Sequence, residues 1–361
     1  MLNINFLKKT ADIKKKALNG EISLDELSNC YEKAVSQKPV VFQLETTNVC
    51  NMRCTMCPRT NQMQRKLGYM EPESYGKIIE QIEPYSPSEL LKWRKYLTLS
   101  DFKDVFIKSD EDYFAFTISA ESITLHGFGE PLLDPHIVER IKIAKLKNIP
   151  VYFSCNPNNM NEDLLRSLLD IGLDYLKYSV EGLDAEIIRK YRGVKVDMEQ
   201  IYNIINKSIE LVERNNYRTL VILTTLLFGK TNEENTDAFL KEWYGQDLFA
   251  YIKNAHHAWI YKDDDNFSNT SQYMRSFCEH PWMTVSILYD GTVVPCPLDY
   301  DGILAMGSVK EQSLEEIWNS KKYREFRKGH AEGTFPESHY CSVCDLPVMG
   351  AKNKKKKSLS L

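Results

Sequence analysis

Residues 50–57 read CNMRCTMC, a stretch in which three cysteines lie within eight residues. Cys50, Cys54 and Cys57 are separated by gaps of three and two residues, so one short loop carries all three thiols. Structural zinc sites usually close with four protein ligands, and their cysteines usually come in pairs. Three cysteines with no nearby histidine favour a cuboidal iron–sulfur cluster in which one iron stays open to an outside ligand. A zinc site or a merely redox-active loop is the alternative.

The composition is that of a globular protein. The chain has 361 residues, 43% hydrophobic and 27% charged, with a formal net charge of −4, which gives no pull toward nucleic acid. No apolar run approaches the roughly 18 residues that span a bilayer, and the N-terminus lacks a secretory signal. We therefore expect a cytoplasmic protein with no membrane or nucleic-acid partner. Its nine cysteines indicate metal or cluster ligation, since disulfides are rare in a reducing cytosol.

Strand and helix patterns alternate between about residues 40 and 260. The segment PVVFQLETTNVC predicts a strand that runs into the cysteine loop, and SITLHGFGEP, IPVYFSCN and LDYLKYSVEG predict later strands. About six β/α units predict an α/β fold with a parallel sheet covered by helices, in the form of a partial (β/α)6 TIM-like barrel. The active site of such a fold lies at the C-terminal ends of the strands, where the unusual residues of this sequence also fall.

The chain divides by pattern into several segments. We predict an N-terminal helical segment over residues 1–38, a barrel core over 39–265 and a second cysteine-bearing domain over 266–348. Residues 84–118 are too long for an ordinary connection and predict a helical insertion, either a lid or a partner surface. The lysine-rich end over 349–361 predicts a basic, disordered tail.

The cysteine loop after a first strand resembles the signature loop of the radical S-adenosylmethionine (SAM) superfamily. The resemblance implies a [4Fe–4S] cluster held by Cys50, Cys54 and Cys57, whose open iron binds SAM. It also implies reductive cleavage of SAM to a 5′-deoxyadenosyl radical that abstracts a hydrogen from the substrate. A flavodoxin- or ferredoxin-type protein is the electron donor that such chemistry implies.

Four further motifs match the same family. GFGEP resembles its GGEP loop, SCN its STN element and SVEG its SxDG element, while the arginine of YRG stands where the family pairs arginine with the SAM carboxylate. Phe128 replaces a glycine, Cys155 a threonine and Glu181 an aspartate; we interpret Cys155 as a small buried residue. The resemblance implies SAM contacts from Met56, Gly127, Gly129, Glu130, Ser154, Asn156, Ser179, Glu181 and Arg192.

A second set of cysteines lies in the last quarter of the chain. It comprises Cys278, Cys296, Cys341 and Cys344, and MTVSILYDGTVVPC predicts a β-hairpin that turns at Asp290–Gly291. With the helix that follows, this region resembles the SPASM/twitch extension of radical SAM enzymes. Four cysteines imply one fully ligated auxiliary [4Fe–4S] cluster, which is expected to take the second electron in a net oxidation. A zinc ribbon formed by the same thiols is the alternative.

These observations favour a radical SAM oxidoreductase, an enzyme that oxidises a small polyol, sugar or amino-sugar intermediate. A maturase that modifies a ribosomal peptide is the alternative within the family. About 40 residues precede the first strand, fewer than a peptide-recognition domain needs. A non-catalytic zinc or iron–sulfur protein that binds nucleic acid or relays electrons is the rival from another class. His256 and His257 follow the sixth predicted strand and are candidate bases for a substrate hydroxyl; loop histidines with no catalytic part are the alternative, which a pattern of this kind favours.

Overall fold

The computed structural model describes residues 1–180, 185–227, 233–254 and 278–332, together with Cys341. Some residues singled out by the sequence lie outside this part of the chain, so nothing is said of their structure. They are Glu181, His256, His257, Cys344 and the basic segment 349–361.

The described residues form one nine-stranded sheet. Its strands, in chain order, are β1 Val40–Leu44, β2 Ile123–Thr124, β3 Val151–Cys155, β4 Tyr175–Ser179, β5 Leu220–Leu227, β6 Phe249–Asn254, β7 Thr284–Ile287, β8 Thr292–Val294 and β9 Gly307–Ser308. The spatial order is β6-β5-β4-β3-β2-β1-β7-β8-β9, and every neighbouring pair from β1 to β6 is parallel. The six parallel strands confirm the predicted partial (β/α)6 fold class.

Helices connect and cover the strands. They are α1 Ile4–Leu18, α2 Leu24–Ala34, α3 Pro58–Asn61, α4 Pro72–Glu80, α5 Pro87–Leu99, α6 Phe102–Phe106, α7 Asp110–Phe114, α8 Ile137–Leu146, α9 Glu162–Asp170, α10 Ala185–Arg192, α11 Met198–Asn215, α12 Glu233–Glu242, α13 His280–Met283, α14 Leu314–Trp318 and α15 Lys321–Glu332. In the described ranges no helix has the length and apolar character that would carry it across a membrane.

The sheet has an outer face that packs on helices and an inner face that lines the barrel. Along β3, Val151, Phe153 and Cys155 belong to the main hydrophobic core with residues of the surrounding helices. Side chains alternate between the faces of a strand, so Tyr152 and Ser154 project to the inner face. Cys155 is only 2% exposed, in agreement with its interpretation as a small buried residue.

The segment 84–118 is helical, and its last part closes one end of the barrel. A π-helical turn, Ala115–Ser119, follows α7 and leads into β2. Phe114 and Ile118 pack against Tyr152, Ile222 and Tyr251, which lie in the first half of their strands. This end of the insertion therefore fills the barrel from the side on which the strands begin, opposite the cysteine loop.

The C-terminal hairpin continues the barrel sheet. Strand β7 pairs in parallel with β1, in the register Val41 with Val285 and Gln43 with Ser286. Strands β8 and β9 then add in antiparallel fashion, and Gly291 makes the predicted turn with φ of +92°. The sequence predicts the hairpin but not its attachment to β1, which places the second cysteine region directly beside the first.

Candidate active site

The cysteine loop follows β1 and is held against the end of α10. The backbone N–H groups of Arg53 and Thr55 donate to the carbonyl oxygens of Arg192 and Tyr191, both at 2.9 Å. Gly193 has φ of +69°, and a Cβ at this position would run into the Arg53 carbonyl oxygen. Only glycine permits both the left-handed backbone and this close approach. The loop position is thus fixed by the YRG motif that the sequence singles out.

The three thiols of the loop interact with one another. Cys54 is buried, while Cys50 and Cys57 are half-buried. Burial, with a further contribution from the Cys54 and Cys50 thiols, raises the pKa of Cys57 to about 12, and burial also raises the pKa of Cys50. Thiols in such surroundings become thiolates when they coordinate a metal, because coordination removes the proton.

This donor set fits a cluster with one thiolate per iron. Within the described residues, no three His, Cys, Asp or Glu side chains are grouped closely enough to bind a single metal ion. An iron–sulfur cluster requires a different arrangement, because each of its cysteines binds a separate iron. The three neighbouring thiols of Cys50, Cys54 and Cys57 meet that requirement on one loop.

The Gly127–Pro131 loop packs directly on the backbone that leads into the cysteine loop. A Cβ on Gly129 would clash with the carbonyl group of Thr47, and one on Gly127 would lie 2.7 Å from Glu45 Cγ. The Glu130 N–H donates to the Val49 carbonyl oxygen at 2.8 Å. The predicted SAM loop therefore contacts Val49, the residue that directly precedes Cys50.

The Glu130 carboxylate joins this loop to the end of β3. It accepts hydrogen bonds from the N–H groups of Leu132 at 3.1 Å and Asn156 at 2.9 Å. Glu130 is 5% exposed, and burial raises its pKa to about 7. Two backbone donors and the nearby Arg192 oppose that shift. Glu130 is thus a buried group that fixes two of the predicted SAM elements relative to each other.

The other predicted SAM contacts also converge here. The hydroxyls of Ser154 and Ser179 share a hydrogen bond of 2.7 Å, which joins the ends of β3 and β4. Asn156 donates to the Met52 sulfur at 3.2 Å, and Arg192 Nη1 lies 3.4 Å from Cys54 Sγ. Met56 is half-buried on the cysteine loop. Arg192 and Asn156 therefore contact the cysteine loop, while Ser154 and Ser179 contact each other at the ends of their strands. Glu181 lies outside the described residues.

Three members of the second cysteine set lie within the described residues, and one of them, Cys296, follows the β7–β8 hairpin. Cys278, Cys296 and Cys341 are half-buried and form no disulfide within the described residues. The Leu298 N–H donates to Cys296 Sγ at 3.4 Å, and Cys278 lies near the Tyr31 hydroxyl, whose pKa is raised chiefly by burial. Cys341 packs against the main core. The predicted ligands of the second site are all thiols, which suits an iron–sulfur cluster. The fourth of them, Cys344, falls outside the described residues.

His126, a histidine on the inner face of the barrel, was not predicted from the sequence. It directly precedes Gly127, and its Nδ1 accepts the Ser154 N–H at 3.0 Å. The neutral ring therefore carries its proton on Nε2. Burial, with the positive charges of Lys177 and Lys253, lowers the pKa of His126 to about 3, so the ring is neutral at pH 7. The sequence pattern that could have identified His126 is a histidine at the end of a predicted strand, directly before a glycine-containing loop.

Comparisons with known proteins agree with this geometry. The model of the radical SAM superfamily matches residues 112–241, and that of the SPASM iron–sulfur cluster-binding domain matches 278–345. The chain is 21% identical to a tungsten-containing aldehyde ferredoxin oxidoreductase cofactor-modifying protein of Pyrococcus furiosus, over 84% of this chain and 87% of the relative. It is 22% identical to the S-adenosyl-L-methionine-dependent 2-deoxy-scyllo-inosamine dehydrogenase of Niallia circulans, over 84% and 92%.

A solved structure shares the fold. Streptococcus suis SuiB bound to S-adenosylmethionine aligns with a TM-score of 0.53 at 11% sequence identity, covering 94% of this chain and 83% of SuiB. At this identity the likeness concerns the fold alone.

Fold, site and family matches together define the class as a radical SAM enzyme with an auxiliary cluster domain. The chain belongs to the radical SAM superfamily and carries a SPASM domain. It is an enzyme, and its cofactors are SAM and [4Fe–4S] clusters.

Proposed function

We propose that this enzyme oxidises a small polyol, sugar or amino-sugar intermediate by removing hydrogen from it. The observation that carries the proposal is the pairing of a SAM-type cysteine loop with a second cysteine set on the adjoining hairpin, joined through the β1–β7 strand pair. A relative similar over most of both chains bears the name of a SAM-dependent dehydrogenase of an aminocyclitol, which supports the same reaction class.

The residues divide between two cofactor sites. Cys50, Cys54 and Cys57 hold the first cluster, and Cys278, Cys296, Cys341 and Cys344 hold the auxiliary one. When bound, SAM and the first cluster would supply radical abstraction of a hydrogen atom from the substrate, and the auxiliary cluster would supply a one-electron acceptor for the net oxidation. The SAM contacts come from Met56, Gly127, Gly129, Glu130, Ser154, Asn156, Ser179, Glu181 and Arg192.

Chain residues also control the proton that an alcohol loses on oxidation. His256 and His257 follow β6 in sequence and are the proposed bases for a substrate hydroxyl. His126 is unsuited to that task, because its pKa is lowered to about 3 and its Nδ1 is already an acceptor. It is suited to donate a hydrogen bond through Nε2.

The packing of the N-terminal helices supports a small substrate over a peptide. Lys14 on α1 pairs with Glu279 at 2.8 Å, and the Tyr31 ring on α2 contacts the Trp282 ring at 5.8 Å between centroids. Trp93 and Phe102 of the insertion belong to the same hydrophobic core as these helices. The N-terminal helices and the insertion, the two segments available for peptide recognition, thus bury their apolar side chains against each other and against the auxiliary region.

The cluster chemistry also suggests a setting and a partner. Oxygen-sensitive iron–sulfur clusters and their thiol ligands belong in a reducing compartment, so we propose a cytoplasmic location. A flavodoxin- or ferredoxin-type protein is the proposed electron donor.

The reaction class can be tested with anaerobically reconstituted enzyme, dithionite, SAM and a small-molecule extract from the source cells. We expect a metabolite that loses two hydrogens in step with 5′-deoxyadenosine formation, while a Cys296→Ala variant cleaves SAM without forming that product. Modification of a peptide in the high-mass fraction, with no small-molecule product, would refute the proposal in favour of a peptide maturase.

A further inference from the structure

The inner face of the barrel carries buried polar groups that the proposed SAM site does not use. Gln43 on β1 is in register with Thr124 on β2 and with Ser286 on β7, so the three side chains project to the same side. Their strand neighbours Val285 and Ile287 pack in the outer core, which places this row on the inner face.

Each of these three side chains is less than a tenth exposed, at 7% for Gln43, 3% for Thr124 and 1% for Ser286. Gln43 Nε2, Thr124 Oγ1 and Ser286 Oγ have no hydrogen-bond partner among the described residues. A buried polar atom without a partner costs about 1–3 kcal/mol, and native proteins rarely carry several together. Three such atoms in one row indicate that a bound molecule supplies the missing partners.

A lysine lies two strands away from Thr124, on β4. Lys177 on β4 is 6% exposed and donates to the Tyr251 hydroxyl at 3.1 Å. Its Nζ lies 4.9 Å from the ring centre of Phe114 and 5.7 Å from that of Tyr152. Aromatic faces stabilise a desolvated ammonium group while leaving its charge in place. The sheet therefore holds a buried lysine among aromatic rings on its inner face.

Tyr152 connects this cation to the unpartnered groups and to His126. It is in register with Thr124, and the His126 ring meets the Tyr152 ring edge-on at 5.2 Å between centroids. No described residue accepts a hydrogen bond from His126 Nε2. We call Gln43, Thr124, His126 and Lys177 the inner-face donor cluster. It combines one cation, Lys177 on β4, with hydrogen-bond donors on β1, on β2 and just after β2.

We propose that the inner-face donor cluster binds an anionic group of the substrate, a carboxylate or a phosphate, below the SAM site. Carboxylate and phosphate oxygens accept several hydrogen bonds at once, and charge-assisted hydrogen bonds are about twice as strong as neutral ones. The inference rests on the proposed function only in placing the substrate inside the barrel, and it narrows the substrate to an acidic or phosphorylated small molecule.

Binding can be measured without turnover. Reconstituted enzyme saturated with SAM, under anaerobic conditions and without reductant, would be titrated calorimetrically with inorganic phosphate, malonate and neutral myo-inositol. We expect one of the anions to bind with 1:1 stoichiometry and at least about tenfold more tightly than inositol, because charge-assisted hydrogen bonds are about twice as strong as neutral ones. Preference for phosphate identifies a phosphate ester, and preference for malonate identifies a carboxylate.

Variants separate this role from a purely structural one. Lys177→Met is expected to weaken anion binding at least about tenfold, and His126→Phe about three- to tenfold. His126→Gln keeps a side-chain donor and should retain most of the affinity. Lys142→Met removes an exposed lysine on α8 and should change nothing. Iron content and SAM affinity, measured for every variant, show whether the protein has folded.

The proposal fails if inositol binds as tightly as the anions, if Lys177→Met binds them like the wild type, or if SAM competes with them. The last result would assign the donor cluster to SAM itself. Each of these results leaves the cleavage of SAM untouched, so the failure of this proposal is distinct from failure of the proposed function.

Discussion

The Glu45 carboxylate and the Arg65 guanidinium form a buried bidentate ion pair, with N–O distances of 2.9 and 3.0 Å. The same carboxylate accepts the N–H of Phe128 in the SAM loop and the N–H of Tyr289 in the C-terminal hairpin. Arg65 also donates to the Tyr300 carbonyl oxygen at 2.6 Å. One ion pair thus connects the loop after the first cysteines, the SAM loop and the hairpin that carries Cys296.

Breaking this pair should destabilise the protein strongly. Glu45 is fully buried and the Arg65 side chain is 9% exposed, so Glu45→Gln leaves a buried guanidinium without its counter-charge, at a cost of about 3–5 kcal/mol. Chemical denaturation of the reconstituted protein measures the loss. The matched control is Glu162→Gln, which removes the partner of Arg166 in a pair whose side chains are nearly half exposed and should cost less than about 1 kcal/mol. Equal losses in the two variants would contradict the assignment.

Gly129 should not tolerate a side chain. Gly129→Ala places a methyl group against the Thr47 carbonyl, so the backbone has to move. We expect the free energy of unfolding to fall by about 1–3 kcal/mol and SAM binding to weaken. Gly76 lies inside α4 with nothing within 4 Å of an added Cβ. Gly76→Ala should therefore raise the free energy of unfolding of the protein by about 0.5–1 kcal/mol. Titration with SAM and thermal unfolding check both variants; normal SAM affinity in Gly129→Ala would speak against the tight packing of the loop.

His126 should make stability depend on pH. Its folded-state pKa of about 3 lies below the ordinary value of 6.5, so between these values the unfolded chain binds a proton that the folded chain does not. Stability due to this residue is complete above pH 6.5 and falls as the pH is lowered. When the pH is lowered from 7 to 5.5, the contribution of His126 to the free energy of unfolding should fall by about 1 kcal/mol.

Denaturation of wild type and His126→Phe at these two pH values measures that contribution. The variant should lose about 1 kcal/mol less than the wild type on acidification, while His136→Phe, at an exposed position, should behave like the wild type. An unchanged pH dependence in His126→Phe would show that the residue is not held neutral.

The auxiliary cluster should survive loss of the first one. Replacement of Cys50, Cys54 and Cys57 by alanine removes the ligands of the first cluster only, so anaerobic reconstitution should leave about four irons per chain. Adding Cys296→Ala should remove those as well. Zinc in place of iron in the triple variant would support the zinc ribbon instead.

The fold was predictable because its signals are local. Alternating strand and helix patterns specify β/α units, and a parallel sheet follows from their order. The pairing of β7 with β1 was not predictable from the sequence, because Thr284–Ile287 is a short apolar run that does not identify its partner strand. The Glu45–Arg65 pair has no sequence periodicity, and only the packed structure brings it to Phe128 and Tyr289.

Part of the candidate site was likewise predictable from the sequence, and part was not. Cysteine spacing and glycine motifs mark the cysteine loop and the predicted SAM loops. The structure brings Arg192 to the Cys54 thiol, Glu130 to Asn156 and Ser154 to Ser179. The inner-face donor cluster was missed because its members are single polar residues in apolar strands. A lone histidine or lysine in such a strand carries no motif, and its role depends on which neighbours share its face.

The most direct test of the account is whether the three-cysteine loop cleaves SAM. Anaerobically reconstituted protein, given dithionite and SAM, should form 5′-deoxyadenosine, and Cys50→Ala, Cys54→Ala and Cys57→Ala should each abolish it. Cys30→Ala, on α2 and away from the loop, should leave it intact. Absence of 5′-deoxyadenosine from iron-replete wild-type protein, or its undiminished formation by the loop variants, would contradict the assignment of this site.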